Sequence, residues 1–343
     1  MSTKFWHLVG HVCQVALLGE YFVFPIGDIE IVVYRFKGEI RVFQNTCPHR
    51  GSKLFVADSG CSPIVCPYHG WSFGDENKVS IPLYKTFKSS PVDPRSASLQ
   101  YWQVRIIGGF IFIAYDPIFS LELQLGTSVF SLVESIGSSI HCLFSLNSFD
   151  FQSNWRIAIE NSLEAYHVSM IHSKTLARLG IDYGTNSFFD WSSVLHHSIS
   201  NKRISSSLKL AQKFLDGVPP VSDYCSIYIF PFSSLSSTCS IGFSLQNYFP
   251  SPSCSSLNST RFRSLLFSPC LRNSSSQISP LESFMKSADS LNRDVFIEDS
   301  SVCSLLPISS WSSSSPKYVS SLEKKILHFR SLFSKLSTYS SFF

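Results

Sequence analysis

Two short turns in this chain each combine one thiol with one imidazole. They are Cys47-Pro-His49 and Cys66-Pro-Tyr-His69, and 16 residues lie between the halves. Four such donors suit two kinds of metal chemistry. A structural zinc would gather two thiolates and two imidazoles around one ion. A two-iron, two-sulfide cluster would put both thiolates on one iron and both imidazoles on the other, which raises its reduction potential. The C-x-H spacing is tighter than the ligand pairs of a zinc finger and favours the cluster. Pro48 and Pro67 stiffen the loops, while Gly51 and Gly70 let the backbone approach closely. Backbone amides can then donate to the sulfurs and tune the potential. Cys61, inside the same loop, reads as a bystander.

A second group of donors lies in NWRIAIENSLEAYHVSMIHSKTL, residues 154–176. On an α-helix, Asn161, Glu164 and His167 fall at successive i+3 steps and share a face. His172 is five residues further on, about 140° around an ideal helix. Both imidazoles can meet one metal only where the helix breaks, and a break or π-type distortion is expected near Val168–Ile171. Two histidines and one carboxylate leave open coordination positions, the arrangement suited to non-haem Fe(II) that activates O2. No H-E-x-x-H occurs, so the zinc-protease pattern is absent.

CPHRG followed by CPYHGW resembles the signature of Rieske non-haem iron oxygenases, the family of aromatic-ring-hydroxylating dioxygenase alpha subunits and of glycine betaine, choline and carnitine monooxygenases. The resemblance extends over nearly the whole chain, from Trp6-His-Leu-Val to the last helix. It implies that Cys47 and Cys66 hold one iron of a [2Fe–2S] cluster and that His49 and His69 hold the other. It also implies that His167 and His172 bind a mononuclear Fe(2+), and that Glu164 bridges a metal histidine to a cluster histidine of the neighbouring subunit. Glu at the bridge, where many members have Asp, points toward quaternary ammonium substrates. The third iron ligand is expected in NRDVFIEDSSVCSLLP, residues 292–307, where Glu298, Asp299 and Cys303 match the family segment and Ser304 and Pro307 depart from it. Asp299 is the candidate, with Asp294 and Glu298 as rivals.

The elements that must position these groups divide the chain in two. Glu30–Phe36, Glu39–Asn45 and Trp102–Ala114 read as short strands rich in Val, Ile and Phe, punctuated by Gly27-Asp28 and Lys37-Gly38. This predicts an N-terminal antiparallel β domain over residues 1–116, closed by Asp116-Pro117. Residues 117–343 read as α+β, a helix-grip-like catalytic domain with an antiparallel sheet. Its expected strands are Tyr224–Phe232, Ile241–Phe249 and Thr260–Ser268, and a final helix is expected over Ser320–Leu336 with an apolar stripe of Leu322, Ile326, Phe329 and Leu332. Tyr183, Phe188, Phe189 and Trp191 form the densest aromatic cluster near the metal segment, read mainly as core. Serine-rich runs at Ser253–Ser256, Ser274–Ser276 and Ser312–Ser315 read as surface loops.

The 343 residues are 44% hydrophobic and only 15% charged, which excludes a disordered chain and supplies a sizeable core. A net charge of +4, spread along the chain, offers no nucleic-acid or membrane-surface footprint. Val104–Tyr115 is too short to span a bilayer, and the N-terminus lacks the apolar run of a secretory signal, so a cytoplasmic protein is expected. Ten cysteines without regular spacing read as reduced thiols.

The resemblance implies a terminal oxygenase. Electrons from NAD(P)H arrive indirectly, through a ferredoxin or flavin reductase, and cross from the cluster to the mononuclear iron. One or both atoms of O2 then enter a small organic substrate, an aromatic acid or a quaternary ammonium compound. The inter-subunit bridge implies a homotrimer. The competing readings are a Rieske electron carrier or redox sensor without turnover, a zinc-stapled module, and a degenerate oxygenase.

Overall fold

The computed structural model describes residues 3–75, 78–88, 92–93, 97–179, 184–251, 259–272, 278–311 and 316–338. The three serine-rich runs, Cys254 and Tyr183 lie outside them.

The N-terminal strands are β1 (His7–His11), β2 (Glu20–Ile26), β3 (Ile29–Arg35), β4 (Ile40–Gln44), β5 (Ser59–Cys61), β6 (Ile64–Val65), β7 (Ser72–Phe73), β8 (Val79–Ser80), β9 (Tyr101–Ile107) and β10 (Phe110–Ala114). Seven of them form one sheet in the order β1-β10-β9-β4-β3-β2-β5, and β6-β7-β8 form a small second sheet. The expected strand at Glu30–Phe36 is β3, displaced by one residue toward the N-terminus, and that at Glu39–Asn45 is β4, trimmed by a residue at both ends. The run Trp102–Ala114 is the β9–β10 hairpin, turning at Gly108-Gly109. Both glycines have positive φ, +55° and +91°. A Cβ on Gly108 would sit 2.1 Å from the Glu134 carbonyl oxygen, so only glycine lets the hairpin touch the helix beneath it.

That helix belongs to the second half, which comprises α1 (Leu121–Leu125), α2 (Thr127–Ser138), β11 (Ile140–Phe151), α3 (Trp155–Leu163), α4 (Val168–Ile171), β12 (Thr185–Phe188), β13 (Ser192–His197), α5 (Lys202–Gln212), β14 (Tyr224–Ile229), β15 (Ser233–Thr238), β16 (Gly242–Pro250), β17 (Thr260–Pro269), α6 (Ile278–Cys303) and α7 (Lys324–Thr338). Its seven strands form one antiparallel sheet, β11-β17-β16-β15-β14-β13-β12. The period-two alternation of a strand gives this sheet two different faces. Cys225, Ile227 and Ile229 of β14, with Leu235, Leu245 and Phe267, pack on α1, α2 and the β1–β10 edge. Tyr228, Phe262 and Phe149 point the other way and meet α7 and α6 through Phe329 and Phe296. The sheet therefore grips α3, α6 and α7 on one face and leans on the N-terminal sheet with the other. This is the α+β architecture expected.

The final helix starts with a 3-10 turn whose capping box is reciprocal: Ser320 Oγ accepts from the Leu322 amide at 3.2 Å, and Glu323 Oε2 accepts from the Ser320 amide at 2.6 Å. Ile326, Phe329 and Leu332 of the expected stripe are buried, and Leu322 is half-buried. Among the described residues, every cysteine is a free thiol. Cys61 and Cys142 are exposed, whereas Cys47, Cys66, Cys225, Cys239 and Cys303 are buried.

One expectation needs correction. The helix through Asn161, Glu164 and His167 stops at Leu163, and Glu164 is extended, with φ −123° and ψ 161°. The break thus falls at Glu164–Tyr166, and Val168–Ile171, where it was expected, is itself a turn of helix. The cause is Glu164 itself. Its Oε2 accepts the backbone amides of Tyr166 and His167, a side-chain bond that competes with the helical ladder and restarts the chain at α4.

Candidate metal centres

The first site is built from two loops of the N-terminal sheet. Asn45, 2% exposed, stitches the loop after β4: its Oδ1 accepts from the amides of Leu54 and Phe55 and its Nδ2 donates to the Phe55 carbonyl at 2.8 Å. The two cysteine turns then repeat one design. The Gly51 amide donates to the Cys47 carbonyl and the Gly70 amide to the Cys66 carbonyl, both at 2.9 Å. The two glycines have φ of +74° and +71°, the left-handed conformation that closes such a turn without a Cβ clash.

The turns bring the two thiols within reach of each other and the two imidazoles side by side. Both thiols are buried, and the rings of His49 and His69 lie 4.7 Å apart. His49 is stacked on Trp71 at 4.8 Å with an interplanar angle of 4°, and its Nδ1 is buried without a hydrogen-bond partner. An orphaned ring nitrogen beside a second imidazole and two buried thiols is the donor set a two-iron cluster needs. Burial pushes the Cys47 thiol up from its ordinary value. Burial also pushes the Cys66 thiol up, but the amides of Tyr68 and His69 and the Ser52 hydroxyl outweigh it and hold the thiol below its usual range. The Tyr68 and His69 amides are backbone hydrogen bonds to sulfur of the kind expected. His69 and Tyr68 are exposed, so one edge of this site faces outward. Cys61 sits away from it on β5, its Sγ donating to the Leu18 carbonyl.

The second site joins the α3–α4 corner to α6. His167 Nε2 and His172 Nε2 lie 3.2 Å apart. Asp299 Oδ1 is 3.0 Å from the latter and 3.6 Å from the former. Two imidazole nitrogens facing each other at that distance repel unless a proton or a cation lies between them. The outer nitrogens are held from behind: His167 Nδ1 by Glu164, and His172 Nδ1 by Glu298 Oε2 at 2.7 Å. Asn161 Nδ2 donates to Asp299 Oδ1 at 2.6 Å. Burial pushes the His167 imidazole down, but hydrogen bonds to Asp299 and Glu164 overcome it and raise the group to about 9. Asp299 shows the mirror effect, its burial outweighed by the two histidines that hold its carboxyl below the usual range. Of the rival carboxylates, Glu298 sits on the far side of the His172 ring, and Asp294 is exposed on α6.

These donors open onto a cavity of about 150 Å³, lined by Tyr224, Ser226, Ser234, Ser236, Gln246 and Phe296 among others. The serines follow from register. Ser226 pairs with Ser236, and Ser234 with Gln246, so their side chains share the helix-facing side of the sheet. A larger outer cavity of about 440 Å³ shares Leu163, Ala165, Leu195 and His197 with it. Of the aromatic cluster, Trp191 is core, 5.0 Å from Phe5 and 5.3 Å from Phe230, and Phe189 packs partly buried beside α2. Among the described residues of that cluster, only Phe188 lines a cavity, the larger one.

Sequence reasoning missed α6 as a helix, the serine wall on β15 and Thr175. The first was findable, since Leu281, Phe284, Met285, Leu291, Val295 and Phe296 keep near-helical spacing.

Residues 5–89 match the family model of the Rieske [2Fe-2S] domain, and residues 143–329 match that of the ring hydroxylating alpha subunit (catalytic domain). Choline monooxygenase, chloroplastic, of Beta vulgaris is 31% identical over 192 residues, 52% of this chain and 42% of that protein. The glycine betaine monooxygenase oxygenase subunit of Pseudomonas aeruginosa (strain UCBPP-PA14) is 27% identical over 181 residues, covering 51% and 41%. These matched stretches span about two fifths of the relatives' length. The crystal structure of the quaternary ammonium Rieske monooxygenase CntA in complex with L-carnitine superposes with a TM-score of 0.75 at 20% identity, covering 97% of this chain and 89% of that one. Among the described residues, no helix is long and apolar enough to cross a membrane. With the family model spanning more than half its length, the chain belongs to the ring-hydroxylating alpha subunits, and it carries a Rieske domain ahead of the catalytic one.

Proposed function

We propose that this chain is the terminal oxygenase of a Rieske-type system acting on a small quaternary ammonium compound. The observation that carries the reading is the convergence of His167 Nε2, His172 Nε2 and one Asp299 oxygen on a single point beside a closed-in cavity. Such a donor set fits Fe(2+) and leaves positions open. Cys47, Cys66, His49 and His69 would hold the [2Fe–2S] cluster, whose chemistry is one-electron transfer, and the mononuclear iron, when bound, supplies O2 activation.

The chain's own groups divide the remaining work. Glu164 accepts from His167 Nδ1, which leaves Nε2 as the metal-facing nitrogen. His69 is exposed and so open to a neighbouring copy, where the Glu164–His167 pair would be its counterpart; the reading is of a cytoplasmic homotrimer served by a ferredoxin or flavin reductase. The inner cavity is comparable to the roughly 150 Å³ engineered hole that holds a benzene, so it fits a compact substrate. No lysine or arginine lines it among the described residues. The rings of Tyr224 and Phe296, with the carboxylates of Glu164 and Asp299, suit a cation.

The test is coupled NADH oxidation and product mass with a surrogate reductase, comparing choline, glycine betaine and benzoate. Hydroxylated or demethylated amine product supports the reading. Cluster reduction without oxygenated product from any amine would favour the electron carrier.

A further inference from the structure

Glu298 and Asp299 are consecutive on α6, so their Cα–Cβ bonds point about 100° apart around the helix. Yet both reach the same imidazole. Asp299 Oδ1 lies 3.0 Å from Nε2 of His172, and Glu298 Oε2 lies 2.7 Å from its Nδ1. The longer glutamate arm passes round the ring and closes on the opposite edge. A third residue locks it there: Thr175 Oγ1 donates to the same Glu298 oxygen at 2.8 Å, while the Thr175 amide donates to the His172 carbonyl at 3.1 Å. His172 is 1% exposed, so no water competes for its ring.

We propose that Glu298 is a positioning residue that fixes the tautomer and the angle of His172, a role distinct from ligation and resting on the metal-centre reading above. An ionised carboxylate only accepts, so the His172 nitrogen facing Glu298 must carry the hydrogen. Nε2 is then the nitrogen left for the point shared with His167 and Asp299. Glu298 cannot itself reach that point, because the His172 ring stands between its carboxylate and the Asp299 oxygen. Glu164 does the same for His167, but by a different construction. It spends its second oxygen on the Tyr166 and His167 amides, so it shapes the chain break as well as the ring. Glu298 shapes no backbone turn, and its contacts are the ring and a threonine. The pair of carboxylates also leaves two histidines facing three acidic groups, a surplus of negative charge that a divalent cation offsets.

The experiment uses the full chain with its cluster in place and Co(II) as the probe, measuring affinity by chelator competition and the visible ligand-field bands. Wild type should also show a slowly exchanging, paramagnetically shifted ring N–H proton from His172 in water that is lost in deuterium oxide. Glu298→Ala should weaken Co(II) by roughly 10–100-fold and speed the exchange of that proton. Glu298→Gln keeps an oxygen acceptor for the ring and should restore most of the affinity and the slow exchange. Thr175→Val should cost less than Glu298→Ala. Melting midpoint and cluster absorbance, unchanged in each variant, separate these effects from unfolding. The proposal is overturned if Glu298→Ala binds Co(II) within twofold of wild type with the same proton exchange. It is equally overturned if Glu298→Gln loses the ligand-field bands as completely as Asp299→Ala, which would make Glu298 a ligand. Absence of any Co(II) site in the wild type would instead sink the metal-centre reading, and the role of Glu298 with it.

Discussion

Metal affinity at the second centre should climb steeply with pH, and the slope follows from the hydrogen bonds already described. In the metal-free chain, Asp299 and Glu164 hold the His167 proton up to about 9, against 6.5 for an ordinary histidine. His172 is displaced in the same direction by Asp299 and Glu298, against the burial that opposes both groups. A metal needs the neutral imidazole, so binding must expel those protons. At pH 7, below the His167 value, that costs on the order of 100-fold in apparent affinity relative to the alkaline limit. The logarithm of the apparent constant should rise by about one per pH unit from pH 6.5 to 8, flattening as pH approaches 9. The sign is reversed for the metal-free fold. A raised histidine value stabilises the folded chain fully below pH 6.5, and that contribution fades as pH rises through about 9. The assay is Co(II) competition with a chelator of known proton affinity, paired with calorimetry in buffers of different ionisation enthalpy to count released protons. An affinity flat across pH 6.5–8.5, with no protons released, would refute the reasoning.

Three other outcomes are expected. Arg330 closes two hydrogen bonds, 2.6 and 2.8 Å, on the Glu160 carboxylate between α7 and α3. Arg330→Met should destabilise the fold by about 3–5 kcal/mol at neutral pH in a denaturant melt. Burial already lifts the Glu160 carboxyl above its ordinary value despite the guanidinium, so the penalty should shrink toward pH 5 as the stranded acid protonates. A Cβ on Gly137 would lie 2.5 Å from the Gly108 carbonyl oxygen, and Gly137→Ala should cost about 1–3 kcal/mol by pushing α2 off the β9–β10 turn, read as a lower melting midpoint. Glu164→Gln should leave dithionite reduction of the cluster intact by EPR while lowering product formation by roughly 10–100-fold; equal loss of both signals would contradict a bridging role.

The two centres were legible in the sequence to different depths. Cluster donors lie within two tight turns close in the chain, where Pro and Gly announce the backbone and spacing alone separates cluster from zinc finger. His167 and His172 were also readable as a pair that demands a chain break. The position of that break was not, because it depends on where the Glu164 carboxylate reaches, and a side chain that can cap a backbone amide looks like any helix former in a list of residues. The third donor lies 127 residues beyond His172. Family resemblance pointed to Asp299 with Glu298 and Asp294 as rivals, and the helical phase of α6 sends Glu298 around the His172 ring and Asp294 outward. The serine wall of the cavity was hidden for a related reason. Nothing in the sequence singles out Ser234 and Ser236; they become a wall only when β15 pairs with β14 and β16 and turns alternate residues inward.

Iron counting with Mössbauer spectroscopy, on anaerobically prepared full-length chain and on the His167→Ala/His172→Ala double variant, tests the central claim most directly. Wild type should hold a [2Fe–2S] pair plus one high-spin ferrous ion, and the double variant should keep the pair and lose the single ion. A wild-type chain with only the pair, or a double variant whose ferrous signal persists, would contradict it.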